Sequence, residues 1–148
     1  MTRLKARIVG LIEALGPIPV NEYMALCLFD PEDGYYTTRE PFGAAGDFIT
    51  APEISQMFGE LVGVWLYQAW LAAGRPMPVT IAEIGPGRGT LMKDMLRTLS
   101  RLDPELTNGA AFAMIETSPR LAKVQKQTLG ATPFAVRWHE TIDTLPQQ

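Results

Sequence analysis

Residues 79–90 read Val79-Thr80-Ile81-Ala82-Glu83-Ile84-Gly85-Pro86-Gly87-Arg88-Gly89-Thr90. A mostly apolar run carries an acid near its end, three glycines follow at alternate positions, and a helix-forming stretch begins. Glycine accepts φ > 0 and leaves no Cβ in the way of a ligand lying against the backbone. Gly85, Gly87 and Gly89 therefore predict a strand, a sharp turn and a binding surface in one short segment. The helix predicted from Thr90 to about Ser100 aims its unpaired N–H groups and the positive end of its dipole at that surface.

Spacing and charge narrow the choice of ligand. In the dinucleotide fingerprint the third glycine lies three positions after the second, whereas Gly89 follows Gly87 by two. The mismatch weighs against a nicotinamide cofactor. Glu83 stands two residues before Gly85, and a carboxylate at the mouth of the turn suits a cation better than a pyrophosphate. S-adenosylmethionine carries a sulfonium and an ammonium. Glu-x-Gly-x-Gly-x-Gly resembles the first motif of the S-adenosylmethionine-dependent methyltransferases, in which the turn underlies the methionine part of the cofactor. That likeness implies cofactor-binding roles for Glu83, Gly85, Pro86, Gly87 and Gly89.

A second acid should close the next strand. Ala110 to Ile115 is a short apolar run of the buried parallel-strand type, and Glu116 follows it directly. In a doubly wound sheet an acid there can accept hydrogen bonds from both hydroxyls of a ribose. The plainer alternatives are a solvated strand-end carboxylate for Glu116, and a turn cap or lysine partner for Glu83.

The 148 residues are 47% hydrophobic and 20% charged, an ordinary globular composition and one domain by length. A formal net charge of -3 argues against broad nucleic-acid binding, which needs a basic face. A basic protein substrate is not repelled by it. Cys27 is the single cysteine, so neither an intrachain disulfide nor a cysteine zinc site can form, and a reducing compartment fits. His139 is the single histidine, so a multi-histidine metal site is excluded, and a structural role at a strand end is expected. No metal is expected. Arg3, Lys5 and Arg7 precede the first acid, Glu13, which faintly resembles a mitochondrial presequence. The helical reading is better: Leu4, Ile8, Leu11, Ile12 and Leu15 form one stripe, as for a helix packed on a core. No apolar run is long enough to span a membrane.

Two sections are expected, a helical one over 1–74 and a partial sheet domain over 75–148. The first begins with the Met1–Leu15 helix, breaks at Gly16 to Pro19, and resumes as a short helix capped by Asn21. Asp30 to Ala51 holds Pro31, Gly34, Pro41, Gly43 and Gly46, which predicts a loop with room for a small hairpin. Thr50-Ala51-Pro52-Glu53 reads as a capping box that starts one long helix reaching about Ala73, apolar nearly all round and so buried on several sides. From Val79 the order is strand, glycine turn, helix, strand (Ala110 to Ile115), helix (capped by Ser118, ending near Gly130) and strand (Phe134 to Trp138). This alternation predicts an α/β fold with a parallel sheet and right-handed crossovers.

A closer likeness rests on the run Gly46-Asp47-Phe48-Ile49-Thr50-Ala51-Pro52-Glu53-Ile54-Ser55-Gln56-Met57-Phe58-Gly59-Glu60. It resembles the signature of the MidA-like methyltransferases, which include a mitochondrial assembly factor for respiratory complex I. Tyr23 to Pro31 with Gly34-Tyr35-Tyr36 resembles the preceding segment of the same family. The resemblance implies a class I, Rossmann-like methyltransferase sheet with a helical N-terminal cover. It also implies S-adenosyl-L-methionine as cofactor, a protein substrate and, in one branch, methylation of an arginine of a complex I subunit. Gly46 to Glu53 would then be a lid over the cofactor, with Gly46, Asp47 and Thr50 as candidate contacts. Two readings stay open for Asp47, a ligand contact or a turn carboxylate; the capping box already accounts for Thr50 and Glu53. Tyr35 and Tyr36 are expected to pack the cover, with lining of the acceptor channel as the lesser alternative.

Members of that family continue well past Gln148, with an acidic motif on a fourth strand. This chain is accordingly expected to be a fragment, a cut piece, or one completed by a partner, and to be inactive alone. Its first strand should lack a neighbour on one side. The carboxylate that would orient an arginine acceptor is assigned to no residue here. Two other functions stay open: a non-catalytic assembly or interaction module on the same fold, and a nicotinamide-dependent oxidoreductase. The expected location is the cytoplasm of a bacterium, or the mitochondrial matrix if the source is eukaryotic.

Overall fold

The computed structural model describes residues 2–39, 43, 46–130 and 132–146. The chain divides into two compact units, Met1–Phe48 and Ile49–Gln148, so the units part well before the expected division at 74. The long helix explains the difference: it packs along the helix that follows the glycine turn and belongs with the sheet.

In the first unit, helix α1 (Arg3–Leu15) is capped by the Thr2 side chain and ends at Gly16, and α2 (Val20–Phe29) follows the proline break. Pro19, rather than Asn21, occupies the cap of α2, because a proline's extended φ and ψ suit the entry while Asn21 is already inside the helix. A short α3 (Tyr35–Thr38) interrupts the expected loop. Arg7 donates to the buried Asp30 at 2.8 Å, and Asp30 also accepts the N–H groups of Glu32 and Asp33. The Arg7 guanidinium in particular holds the Asp30 carboxyl below its usual range. Of the predicted α1 stripe only Ile8 is buried, and Leu15 is 77% exposed. Gly43 donates to the Phe48 carbonyl at 3.2 Å and accepts the Gly46 N–H at 2.9 Å, as in a small turn; Pro41 lies outside the described residues.

In the second unit the predicted long helix is two helices. α4 (Ala51–Ile54) is a single turn, and Ser55, extended at φ −150°, caps α5 (Gln56–Ala72) by accepting the Met57 N–H. The capping box does not form: the Thr50 side chain makes no cap hydrogen bond, and Glu53 turns elsewhere. β1 (Thr80–Ile84) leads through the glycine turn to α6 (Thr90–Leu102), and the short α7 (Pro104–Gly109) follows. β2 (Ala111–Ile115), α8 (Pro119–Leu129) and β3 (Val136–His139) complete the alternation. The strands pair in parallel in the order β1-β2-β3, with Thr80 opposite Ala111 and Phe112 opposite Val136. β1 is thus the edge of the described sheet, as expected.

Glycines bring α5 and α6 together. A Cβ at Gly59 would stand 2.6 Å from Cβ of Asp94, and one at Gly63 would stand 3.1 Å from Cβ of Thr98. Met92, Met95, Leu96 and Leu99 on the inner side of α6 meet Phe112 and Met114 of β2 and Trp70 of α5 in the core. The remaining faces of α5 are not covered by described residues: Met57, Leu61 and Trp65 are each more than 60% exposed. The expectation of burial on several sides is therefore corrected to burial on one. Apolar composition marked the helix as a packing element but could not say how many partners lie within these residues.

Candidate functional site

β1 stops where the ladder runs into glycine. The Gly85 N–H donates to the Ile115 carbonyl at 3.1 Å, and the chain then turns through Pro86, which is buried, so that Gly89 N–H closes on the Pro86 carbonyl at 2.7 Å. Gly85, Gly87 and Gly89 have φ of 64°, 54° and 83°, in the left-handed region that side chains disfavour. Their surroundings separate their roles. A Cβ at Gly85 or Gly87 would meet nothing within 4 Å, whereas one at Gly89 would stand 3.2 Å from Cε of Met114 and 3.4 Å from Cα of Gln125. The first two keep a cradle open, and the third lets the turn sit tightly on β2 and α8.

Glu83 occupies the penultimate position of β1, two residues before the turn. Its Oε2 is buried and has no hydrogen-bond partner among the described residues. Burial pushes its carboxyl from 4.5 up to about 7, against a smaller opposing pull from the Met92 backbone N–H in the first turn of α6. A buried carboxylate oxygen without a partner is costly, so the site favours either a proton or a cation there. A pyrophosphate would add like charge. Glu83 also lines an apolar groove of about 640 Å³ beside β1, walled by Leu66, Trp70 and Leu91.

Glu116, just beyond β2, is held at both ends of its carboxylate. Oε1 accepts the Ser118 N–H at 2.8 Å, and Oε2 accepts from Nε2 of Gln125 at 2.9 Å. Its own N–H donates to the His139 carbonyl at 2.8 Å. Each carboxylate oxygen has two acceptor positions, so one remains on each for a pair of neighbouring hydroxyls. Glu83 and Glu116 thus stand near the ends of neighbouring strands, Ile84 being paired with Ile115.

Glu53 joins them unexpectedly. The Thr90 hydroxyl donates to its Oε1 at 2.6 Å, and Arg88 lies 3.5 Å from its Oε2. It thereby ties α4 to the end of the glycine turn. The capping-box pattern concealed this, because Thr50 and Glu53 have the right types at the right spacing while the backbone breaks at Ser55. Gly46 and Asp47 belong to the first unit, where Asp47 accepts the Tyr35 hydroxyl at 2.5 Å, and Tyr35 packs edge-on against Tyr36. The carboxylate beside it pushes the Tyr35 hydroxyl up to about 12. Asp47 thus has the intramolecular partner that the turn-carboxylate reading requires. His139, with Nδ1 2.8 Å from the Thr144 hydroxyl, is tied into the turn after β3.

The site thus presents an open glycine turn, a carboxylate with one unpaired oxygen near the end of β1 and a hydrogen-bonded carboxylate just after β2. Residues 61–148 match the family described as "Putative S-adenosyl-L-methionine-dependent methyltransferase". The chain belongs to this family. It is 49% identical, over 92% of its length, to "Protein arginine methyltransferase NDUFAF7, mitochondrial" of Danio rerio, and 41% identical, over 98%, to the homologue of Drosophila melanogaster. A crystal structure from Burkholderia thailandensis, bound to S-adenosyl-homocysteine, superposes with a TM-score of 0.78 at 33% identity; the match covers 93% of this chain and 37% of that one. The chain spans 37% and 36% of the lengths of the two curated relatives. The α/β class and the methyltransferase family expected from the sequence both hold. No helix among the described residues is long and apolar enough to cross a membrane.

Proposed function

We propose that this chain carries the cofactor-binding part of an S-adenosylmethionine-dependent methyltransferase whose acceptor is a protein arginine. The reading is supported by Glu83, whose buried Oε2 has no partner among the described residues and which stands two positions before an open, positive-φ glycine turn. When bound, the cofactor supplies an electrophilic methyl group on a sulfonium. Glu83 would take the ammonium, and Gly85, Pro86, Gly87 and Gly89 would let the methionine part lie against bare backbone. Glu116 would grip the ribose. Methyl transfer is an in-line displacement, so the protein contributes mainly by positioning the reactants and excluding water from them.

Gly46, Asp47 and Thr50 are proposed as lid residues, on the likeness of the Gly46–Glu60 run to the MidA-like signature. The arginine acceptor is proposed because the relatives from Danio rerio and Drosophila melanogaster are protein arginine methyltransferases, and a complex I subunit is the proposed protein partner. A bacterial cytoplasm or a mitochondrial matrix would suit this role. The test is transfer: the full-length protein is incubated with S-adenosylmethionine labelled in its methyl group and a candidate acceptor protein. Label on arginine that disappears with Gly87→Val supports the reading. Tight cofactor binding with no label on any acceptor would favour an assembly module instead.

A further inference from the structure

Gln125 is fully buried on the sheet-facing side of α8, between Leu121 and Leu129 at helical spacing, where an apolar residue would be the ordinary choice. Its amide uses three hydrogen-bonding positions. Nε2 donates to the Gly87 carbonyl at 2.9 Å and to Oε2 of Glu116 at 2.9 Å, while Oε1 accepts the Trp138 indole N–H at 2.9 Å. Chemistry fixes the amide's orientation. Turned over, its oxygen would face two acceptors and its NH2 would face an indole that can only donate.

We infer that Gln125 is a positioning residue that locks the glycine turn and the ribose-binding acid to each other, and so sets how strongly the site recognises the sugar hydroxyls. The inference rests on the function proposed above. A single nitrogen spans the two halves of the site, one on the β1–α6 turn and one at the end of β2. The Gly87 carbonyl is held by the Gln125 amide, and Glu116 offers hydroxyls its remaining acceptor positions while Gln125 and Ser118 hold the others. Trp138 anchors the clamp from β3, so all three strands contribute. A buried network of this kind is strong when complete and costly when broken, which gives Gln125 more influence on binding than a core contact of its size.

The test separates this role from packing. The full-length protein, with Gln125→Leu and Gln125→Glu variants, is titrated with S-adenosylhomocysteine and with its 2′-deoxy analogue, the folded state being checked by circular dichroism. The parent should prefer the hydroxylated ligand by about tenfold, the size of a charge-assisted hydrogen bond. In Gln125→Leu that preference should fall to about twofold or less. Gln125→Glu should lose it at about pH 8, where two carboxylates would oppose one another, and recover part of it at about pH 5, where a protonated acid can donate again. Folded variants that keep the parent's preference at both pH values overturn the inference. If both variants fail to fold, Trp138→Phe carries the test, since it removes the indole donor that orients the amide while keeping an aromatic ring in place: a reduced preference supports the clamp, and an unchanged one overturns it. A parent with no affinity for S-adenosylhomocysteine defeats the cofactor reading itself, a distinct outcome.

Discussion

Glu83 and Glu116 stand near the C-terminal ends of neighbouring parallel strands, in the register that pairs Ile84 with Ile115, yet their surroundings are opposite. Glu83 has a buried oxygen with no partner, whereas both oxygens of Glu116 are engaged, by Ser118 and Gln125. A carboxylate with one buried oxygen left unpaired is poorly stabilised as an anion and gains most from a cation. A carboxylate whose orientation is already set gains most from directed hydrogen bonds. One side chain type thus serves charge at the first position and geometry at the second, and the neighbours decide which.

The largest loss is expected when the open space at the glycine turn is filled. Gly87→Val places a β-branched residue at φ 54°, where left-handed backbone costs roughly 1–2 kcal/mol, and fills the open space above the turn. Calorimetry should show S-adenosylhomocysteine affinity falling by at least about a hundredfold, with a circular dichroism spectrum like the parent's.

Glu83→Gln comes next. Losing a charge-assisted contact to the ammonium should cost about tenfold to a hundredfold in affinity above about pH 7. The pH dependence has a definite sign. The folded-state pKa of Glu83 lies above its ordinary value, so its contribution to stability is fully present below about 4.5 and is lost as pH rises through about 7. Thermal melts of Glu83→Gln should lack that decline and exceed the parent's at about pH 8. Binding should behave inversely: a cation draws the proton off Glu83, so parent affinity rises with pH up to about 7, and the variant's does not.

Glu116→Gln sharpens the contrast. Two N–H donors already point at this carboxylate, so an amide NH2 at either oxygen meets a donor. Affinity should fall by about tenfold while its pH slope stays that of the parent, as read by titration at two pH values. The smallest effect is expected of Glu53→Gln, which weakens the ties to Thr90 and Arg88 without touching the cradle; a loss of about two- to fivefold is expected in the same titration.

The sheet half was legible because its signals are local. Ser118-Pro119 opens α8 and Gly130 ends it, both where the sequence predicts. The glycines announced the turn, and an apolar run with an acid at or near its end announced β1 and β2. Other features depended on contacts that no window contains. Ser55 interrupts a stretch that reads as one helix, and the Glu53 carboxylate is drawn to Thr90, 37 positions away. Asp103-Pro104 carried a usable cap-and-proline signal for α7 that the strand pattern overshadowed; the Asp103 side chain accepts from both Glu105 and Leu106. Gln125 was visible as a polar residue on an apolar helical stripe, but its partners on the turn, on β2 and on β3 emerge only when the sheet assembles.

The most direct measurement is calorimetric titration of the full-length protein with S-adenosylhomocysteine at about pH 6, in two buffers of different ionisation enthalpy. Saturable binding that releases a proton, with the release abolished by Glu83→Gln and the binding abolished by Gly87→Val, is the predicted result. An absence of saturable heat, or a heat that Gly87→Val leaves intact, would contradict the placement of the cofactor over this turn.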